Sequence, residues 1–282
     1  SLENAPYRGA AAAAPSAAYT ADGAVSYFFA STGTKIRAHV GNGYRIPSLY
    51  ERYGTFFSTF IAPEFIALGD PGLKPERSIA ADAGVEQYLF DEKARLTATY
   101  FYTSLTQTIG FGNVVPDIGT TPRPFGGYLN QPGGIARGGE FSAEIKPDTN
   151  TDLFASFTYT NSDQRTPQVA GSGLITTLGI PERQMTLVAT RRFGRSWINL
   201  DVLISSSYLA PIFSTSTFST YIYRFGGNRR ADLTGGHTFR LGNEKFDLRL
   251  FATVENLFDH EYYENGFRTA GRNARVGLSF GF

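Results

Sequence analysis

The 282-residue chain contains no cysteine, one tryptophan, one methionine and three histidines. Without cysteine there is no disulfide framework and no soft-ligand metal site, and His39, His237 and His260 lie too far apart to form a ligand cluster by spacing. Zero cysteine is also compatible with export from the cytoplasm. An excess of one charge is lacking too. The 26 basic and 25 acidic residues are interleaved and leave a net charge of +1, which excludes a strongly basic nucleic-acid binder, because neutralising phosphates takes clustered Lys and Arg in excess. No window approaches 18 consecutive apolar residues, so a membrane-spanning helix is excluded, and the alanine run 10–14 is too short and too weakly apolar for one. That run is not a signal-peptide core either. The chain starts at Ser1 without a basic segment, so any targeting sequence is expected to have been removed or to lie upstream.

What is present points to β structure. The chain carries 24 Phe, 16 Tyr and 31 Gly at a mean hydropathy of -0.20, which suits a β-rich protein with aromatic girdles. At the carboxyl end, Ala274, Val276, Leu278, Phe280 and Phe282 alternate with Asn273, Arg275, Gly277, Ser279 and Gly281, so one face is apolar and the other polar or small. The same split separates Phe246, Leu248, Leu250, Ala252 and Val254 from Lys245, Asp247, Arg249, Thr253 and Glu255. It recurs with Ile198, Leu200, Val202 and Ile204 opposite Asn199 and Asp201. Strands are expected near 16–30, 34–45, 78–90, 93–109, 125–147, 150–162, 183–193, 196–208, 228–240, 245–257 and 272–282, with no helical pattern between them. Most are long enough to cross a bilayer, which takes about 9–11 tilted residues. A polar face carrying both signs of charge is costly in a dry core and costs little in a hydrated lumen.

The connections alternate between short and long. Turn formers cluster at 31–34 (STGT), 91–92, 147–150 (PDTN), 194–195 and 242–244 (GNE), while long loops run roughly 46–77, 110–124, 163–182, 209–227 and 258–271. Structureless loops of that length are unusual in a soluble sandwich, whereas short turns on one rim and long loops on the other describe an outer-membrane barrel. Every short turn falls on the rim of Phe282, expected to be the periplasmic one. The fold class expected is all-β, an antiparallel transmembrane β-barrel with about eleven strands present.

Three blocks then resemble the TonB-dependent outer-membrane receptor family. Asn256-Leu257-Phe258-Asp259, Tyr262, Gly271-Arg272 and a last strand ending in Phe282 resemble its carboxyl-terminal signature. The block GYRIPSLYE (43–51), with Arg45 and Pro47, followed by Leu73-Lys74-Pro75-Glu76 and then Gly84-Val85-Glu86, resembles its mid-barrel pattern. Arg137-Gly138-Gly139-Glu140 stands where the family has a Gly-Val-Glu strand start. The last strand, with Gly277, Phe280 and Phe282, also resembles the signal that barrel-assembly machinery reads, with Val276 where a polar residue is usual.

The resemblance implies a 22-stranded barrel with an amino-terminal plug and a TonB-binding segment. The chain has room for about half the strands and for neither of the other parts, so it is expected to be the carboxyl-terminal half of a receptor. The function implied is capture and TonB-energised import of a scarce small-molecule nutrient, siderophore-iron or cobalamin in type, with lipid, lipopolysaccharide and the TonB complex as partners. No cofactor, nucleic acid or enzymatic activity is implied. The candidate ligand contacts are Tyr50, Arg52, Tyr53, Phe56 and Phe57 in one loop, with Phe60 nearby, and Tyr221 and Tyr223 in another, beside Phe213 and Phe218, because aromatic faces with polar tips suit a bulky chelate. Equally, these residues could form the upper aromatic girdle or pack loop on loop. Arg45, Arg52, Arg224, Arg229 and Arg230 could meet an anionic ligand, lipopolysaccharide phosphates or loop carboxylates. No Ser-His-Asp spacing and no phosphate-loop ending stands out. A smaller passive pore of about twelve strands and a structural or adhesin barrel are the alternatives.

Overall fold

A computed structural model describes residues 5–7, 14, 17–59, 63–165, 172–217, 219–242, 246–264 and 266–281. In chain order its elements are β1 (Asp22–Phe29), β2 (Thr34–Arg45), α1 (Leu49–Tyr53), β3 (Thr55–Ser58), β4 (Glu64–Ala67), β5 (Glu76–Leu89), β6 (Ala94–Gly112), β7 (Gly127–Pro132), β8 (Gly134–Ile145) and β9 (Thr151–Gln164). There follow β10 (Arg183–Phe193), β11 (Ser196–Ser205), β12 (Tyr208–Ser214), β13 (Ser219–Phe225), β14 (Arg229–Leu241), β15 (Phe246–Glu255), β16 (Tyr263–Glu264), β17 (Phe267–Arg268) and β18 (Asn273–Gly281). Eleven of them form one antiparallel wall in the order β1-β2-β5-β6-β8-β9-β10-β11-β14-β15-β18, with β7 paired to the far end of β6. Every wall strand is the next one's neighbour, and no described pairing joins β1 to β18, so the sheet is open.

Register carries the period-two pattern across the whole wall. Arg37 stands opposite Gly84, Gly84 opposite Thr99 and Thr99 opposite Glu140, while on the other face Val85 meets Ala98 and Ala98 meets Phe141. One face is therefore polar from end to end and the other apolar. The polar face carries the ion pairs Lys35–Glu86 (3.4 Å) and Arg37–Asp82 (3.1 Å), together with Arg95–Glu144. The apolar face is bare. Val40, Ile79, Phe141, Ile198, Val276 and Leu278 are all exposed, and among the described residues no large side chain is fully buried. A sandwich would cover that face with a second sheet, and here nothing covers it. The strands thus form part of a barrel wall whose outer face is solvated by lipid and whose inner face is wet.

Most of the buried apolar side chains, among them Tyr7, Ile66, Leu73, Phe225 and Tyr262, lie in the connections and not in the strands of the wall. The long loops are consequently not structureless. They carry the helix α1 and the hairpins β3-β4, β12-β13 and β16-β17, none of which the periodicity indicates. The strand expected over 125–147 is two strands broken at Gly133, where a Cβ would collide with the Leu105 carbonyl. On the other flank of β6 the register to β5 shifts at the same height, between Arg77 and Ser78. This double irregularity marks where the 19-residue β6 leaves the wall and rises into the loops. The first described strand begins at Asp22, residues 17–21 being outside any strand and 15–16 outside the described residues, and Arg137–Glu140 lies inside β8, not at a strand start. The 31–34, 91–92, 147–150 and 194–195 turns all fall at one rim, the rim that holds Gly281 through its pairing with Asp247. Phe282 and the turn residues 243–245 lie outside the described residues.

Solvation of the two faces by different media makes a prediction. Leu200, on the apolar face at mid-height of β11, replaced by Arg should cost about 2–4 kcal/mol. The neighbouring Asn199→Arg, on the wet face two residues from Asp201, should fold nearly as well as the parent protein. Refolding yield into lipid vesicles, read by the heat-dependent gel shift of folded barrels, separates the two, and equal yields would contradict the assignment of faces.

Candidate functional site

The rim opposite the short turns carries two aromatic clusters, each built by its own loop system. The first grows from the end of β2. Arg45 lies directly across the sheet from Glu76 and pairs with it, and also donates to Glu51 at 2.9 and 3.0 Å. Glu51 belongs to the capping box of α1, in which the Ser48 hydroxyl accepts from the Glu51 N–H at 3.2 Å and the Glu51 carboxylate accepts from the Ser48 N–H at 2.6 Å. One guanidinium thus fixes a five-residue helix, too short to stand alone, to the top of the wall. The hydrogen bonds from Arg45 hold the Glu51 carboxyl below the usual carboxylate range.

Around that helix the loops interlock. Tyr7 is buried, donates to the Gly69 carbonyl at 2.7 Å and meets the Tyr53 ring edge-on at 5.7 Å, and its burial pushes its phenol up to about 12. Asn130 of β7 holds the Lys74 peptide from both sides, accepting from its N–H at 2.7 Å and donating to its carbonyl at 2.8 Å. Arg123, almost fully buried, donates to the Pro116 and Tyr128 carbonyls. What this frame exposes is aromatic. Tyr50 (53% exposed) packs edge-on against Tyr128, which packs on Phe111, and the exposed Phe57 packs on Phe65. Phe56 turns towards Phe125.

The second cluster is the hairpin β12-β13 leaning on β16-β17. Tyr208 donates to the Tyr263 carbonyl at 2.8 Å, and Phe225, buried, sits between Tyr208, Tyr223 and Tyr263. Phe213, Tyr221 and Tyr223 point outward. Beneath them the carboxyl-terminal signature closes the wall. Asn256, 2% exposed and at φ 51°, accepts from the His260 N–H at 2.9 Å and donates to the His260 carbonyl at 3.0 Å. Asp259 accepts from the Arg272 N–H at 2.7 Å, and Gly271 leaves room for that carboxylate. Leu257 donates its N–H to the Ala231 carbonyl.

The expected contact residues therefore divide. Tyr50, Phe57, Tyr221 and Tyr223 are exposed, Tyr53 and Phe56 are half-buried within the frame, and Arg52 is 7% exposed, stacked on Tyr53 at 5.1 Å and donating to the Pro71 carbonyl. Arg52 is thus held within the frame. Arg45 is engaged by two carboxylates, and Arg230 by Asp232 at 2.6 Å. The two clusters stand about six strand spacings apart along the wall. Tyr128, Phe111 and Phe125 went unnoticed in the sequence because they lie in a segment read as strand or loop end. Phe60 and Phe218 are outside the described residues. Among the described residues no group of three or more His, Asp or Glu is placed to hold a metal.

The family model described as "TonB dependent receptor-like, beta-barrel" matches residues 5–257. The chain belongs to the TonB-dependent receptor β-barrel family. Barrels of this family stand in the bacterial outer membrane and are transport receptors, not enzymes. No functionally curated protein matches the chain in sequence. Among solved structures, the siderophore receptor PirA from Acinetobacter baumannii superposes at a TM-score of 0.67 with 15% identity, over 93% of this chain and 40% of PirA. A mutant of the ferric enterobactin receptor PfeA from Pseudomonas aeruginosa gives 0.66 with 16% identity, over 93% and 39%. The P. aeruginosa receptor FpvA, in complex with a heterologous ferric pyoverdine, gives 0.67 with 15% identity, over 92% and 32%. The chain spans two-fifths or less of the length of these proteins, and the likeness is one of fold.

Both blocks that resemble the family are rim fasteners. Arg45 and Glu76, with Pro47, Leu73 and Pro75 buried behind them, tie α1 to the wall, and Asn256 to Arg272 tie β15 to β18. Because the folded pKa of Glu51 is lowered, its contribution is full above its unfolded value, about 4.3, and is lost as pH falls through the lower folded value. Amide protection across Leu49–Tyr53, corrected for intrinsic exchange, should collapse on going from pH 6 to pH 3 while β5 keeps its protection, and Glu51→Gln should remove the pH dependence. Asn256→Ala strands two buried backbone groups and should cost about 1–3 kcal/mol. Asn256→Gly, which relieves the positive φ, should recover little of this in a denaturant titration.

Proposed function

We propose that the chain forms the carboxyl-terminal half of the 22-stranded barrel of an outer-membrane receptor, which captures a scarce nutrient and imports it with energy transmitted through TonB. The family match over residues 5–257 carries this reading. The open wall supports it as well, since an edge strand left unpaired in lipid costs several kcal/mol per backbone group and calls for further strands. The short-turn rim is then periplasmic, and the aromatic rim faces the medium and lipopolysaccharide. Tyr50, Phe57, Tyr221 and Tyr223, exposed on rigid supports, are the ligand contacts, because preorganised aromatic faces bind flat or bulky apolar surface without paying for loop ordering. A ferric siderophore or a cobalamin fits that chemistry, and the siderophore receptors among the structural neighbours favour the first.

The test uses the full receptor purified from outer membranes and titrated with a ferric catecholate, a ferric hydroxamate and cobalamin. Saturable binding of one of them is expected, weakened about tenfold or more by Tyr50→Ala combined with Tyr221→Ala. Uptake in cells should vanish when TonB is removed. Binding of none of the three, together with steady ion conductance in planar bilayers, would replace the importer by a passive pore.

A further inference from the structure

Outward-facing arginines recur at one height of the wall. Arg77 on β5, Arg137 on β8 and Arg183 on β10 follow one another two wall strands apart, and each has a tyrosine directly across the ladder, Tyr44, Tyr102 and Tyr159 respectively. Strand alternation puts all six on the side of Val40, Ile79, Ala98 and Phe141, the lipid-facing side. Counted from the short-turn end of its own strand, Arg77 is twelve residues from Leu89, Arg137 eight from Ile145 and Arg183 ten from Phe193. Crossing the hydrocarbon takes about 9–11 tilted residues. The three guanidinium groups therefore reach the headgroup level at the long-loop rim on their flexible stems. Arg229 on β14, twelve residues from Leu241, faces the same way and continues the line.

These charges have no internal match. None of the four arginines has a carboxylate in ion-pair reach among the described residues, and Asp163, outward at the top of β9, pairs with none of them. Residues 166–171, between β9 and β10 and outside the described residues, include no Asp or Glu. Arg191, outward at the short-turn rim, is by contrast neutralised by Asp148 at 2.6 Å. The Arg77 guanidinium lies 5.9 Å from the centre of the Tyr44 ring. Towards the membrane centre from Tyr159 and Arg183, the next outward pair is Phe157 with Met185, and these line a recess of about 420 Å³ with Ala98, Phe141, Ala143 and Ala155. Basic heads thus stand above an apolar trough.

We propose that this face seats one acylated glycolipid carrying two phosphates on a disaccharide, the membrane anchor of lipopolysaccharide, with its phosphates on Arg137 and Arg183 and an acyl chain in the trough. Two strand spacings and one pleat repeat put the Cα atoms of these arginines roughly 12 Å apart. Two phosphates held on a sugar frame match that separation better than the single phosphate of a phospholipid, whose amine would add a cation to a surface already in excess. Guanidinium groups take phosphate oxygens bidentately, and the tyrosines suit the interface with an apolar ring and a polar tip. The seat depends on the orientation proposed above, with the long loops outward, and not on which nutrient is imported.

The experiment purifies the full receptor from outer membranes in mild detergent and counts the lipid retained per barrel by mass spectrometry. Retention of the bis-phosphorylated glycolipid is expected, cut at least fivefold by Arg137→Gln with Arg183→Gln and unchanged by Arg191→Gln at the other rim. The heat-dependent gel shift shows that each variant is folded. Should the double variant not fold, the parent protein is stripped of lipid and offered the glycolipid with and without its phosphates, and only the phosphorylated form is expected to rebind. Ser216→Cys, in the turn between β12 and β13, reports the orientation separately, since a membrane-impermeant maleimide should label that site on intact cells. Labelling without retained glycolipid, retention indifferent to the double variant, phospholipid retained in its place, or rebinding of the dephosphorylated form would each overturn the proposal. Absence of labelling would overturn the orientation and the seat together.

Discussion

Lipid offers no hydrogen bonds, so every peptide group that crosses the membrane must find its partner in the neighbouring strand. The eleven-strand wall is the direct answer to that constraint, and the rest of the molecule is arranged by it. Because the ladder holds the wall, side chains need not. Phe141, Ile198 and Leu278 remain exposed, and the opposite face can carry Arg37, Asp82 and Glu86, which a dry core would not tolerate unpaired. Side-chain packing, elsewhere the origin of fold stability, is displaced from the wall to the loops.

At the long-loop rim the ladder ends and the chain needs other means of satisfying its peptide groups. Three asparagines supply one. Asn42 accepts from the Ala21 N–H at 2.7 Å and donates to the Tyr19 carbonyl at 2.9 Å, Asn130 brackets Lys74 in the same way, and Asn256 brackets His260. A side-chain amide has the donor and acceptor of a peptide unit, so each asparagine replaces one missing strand residue. Buried aromatic rings and Arg123 then fill the space between the loops so fastened. The result is a stiff rim above a wall that has no core of its own.

These two regimes explain which parts were legible. The wall was: the strand over 34–45 coincides with β2, and the apolar faces of β11, β15 and β18 run as the alternation indicated, because a two-solvent wall writes its geometry into every second residue. The rim was not. Its hairpins depend on pairs such as Tyr7 with Gly69 and Asn130 with Lys74, 62 and 56 residues apart, and no local period reports a contact of that range. The split at Gly133 was hidden for a related reason. Both halves alternate correctly, and only the approach of the Leu105 carbonyl breaks the strand. Of the proposed contact residues, aromatic character was visible but direction was not, since no local pattern shows that Arg52 lies buried against Tyr53 while the adjacent turn of α1 exposes Tyr50.

The same division bears on what family membership delivers. The residues through which the chain resembles its family, Arg45, Glu76, Asn256 and Asp259 among them, each have an intramolecular partner fixed by register or by a turn. Their task is to hold the rim at the top of the strands. Tyr50, Phe57, Tyr221 and Tyr223 are each more than half exposed at the same rim. Tyr50 itself lies within one of these blocks, next to Glu51, so a block made of fasteners also presents an exposed ring. The superpositions at 13–18% identity report the wall, since a wall fixed by its backbone ladder keeps its course through near-complete replacement of side chains. The exposed rings of both clusters thus stand on loops that are fastened to the wall and to one another from beneath.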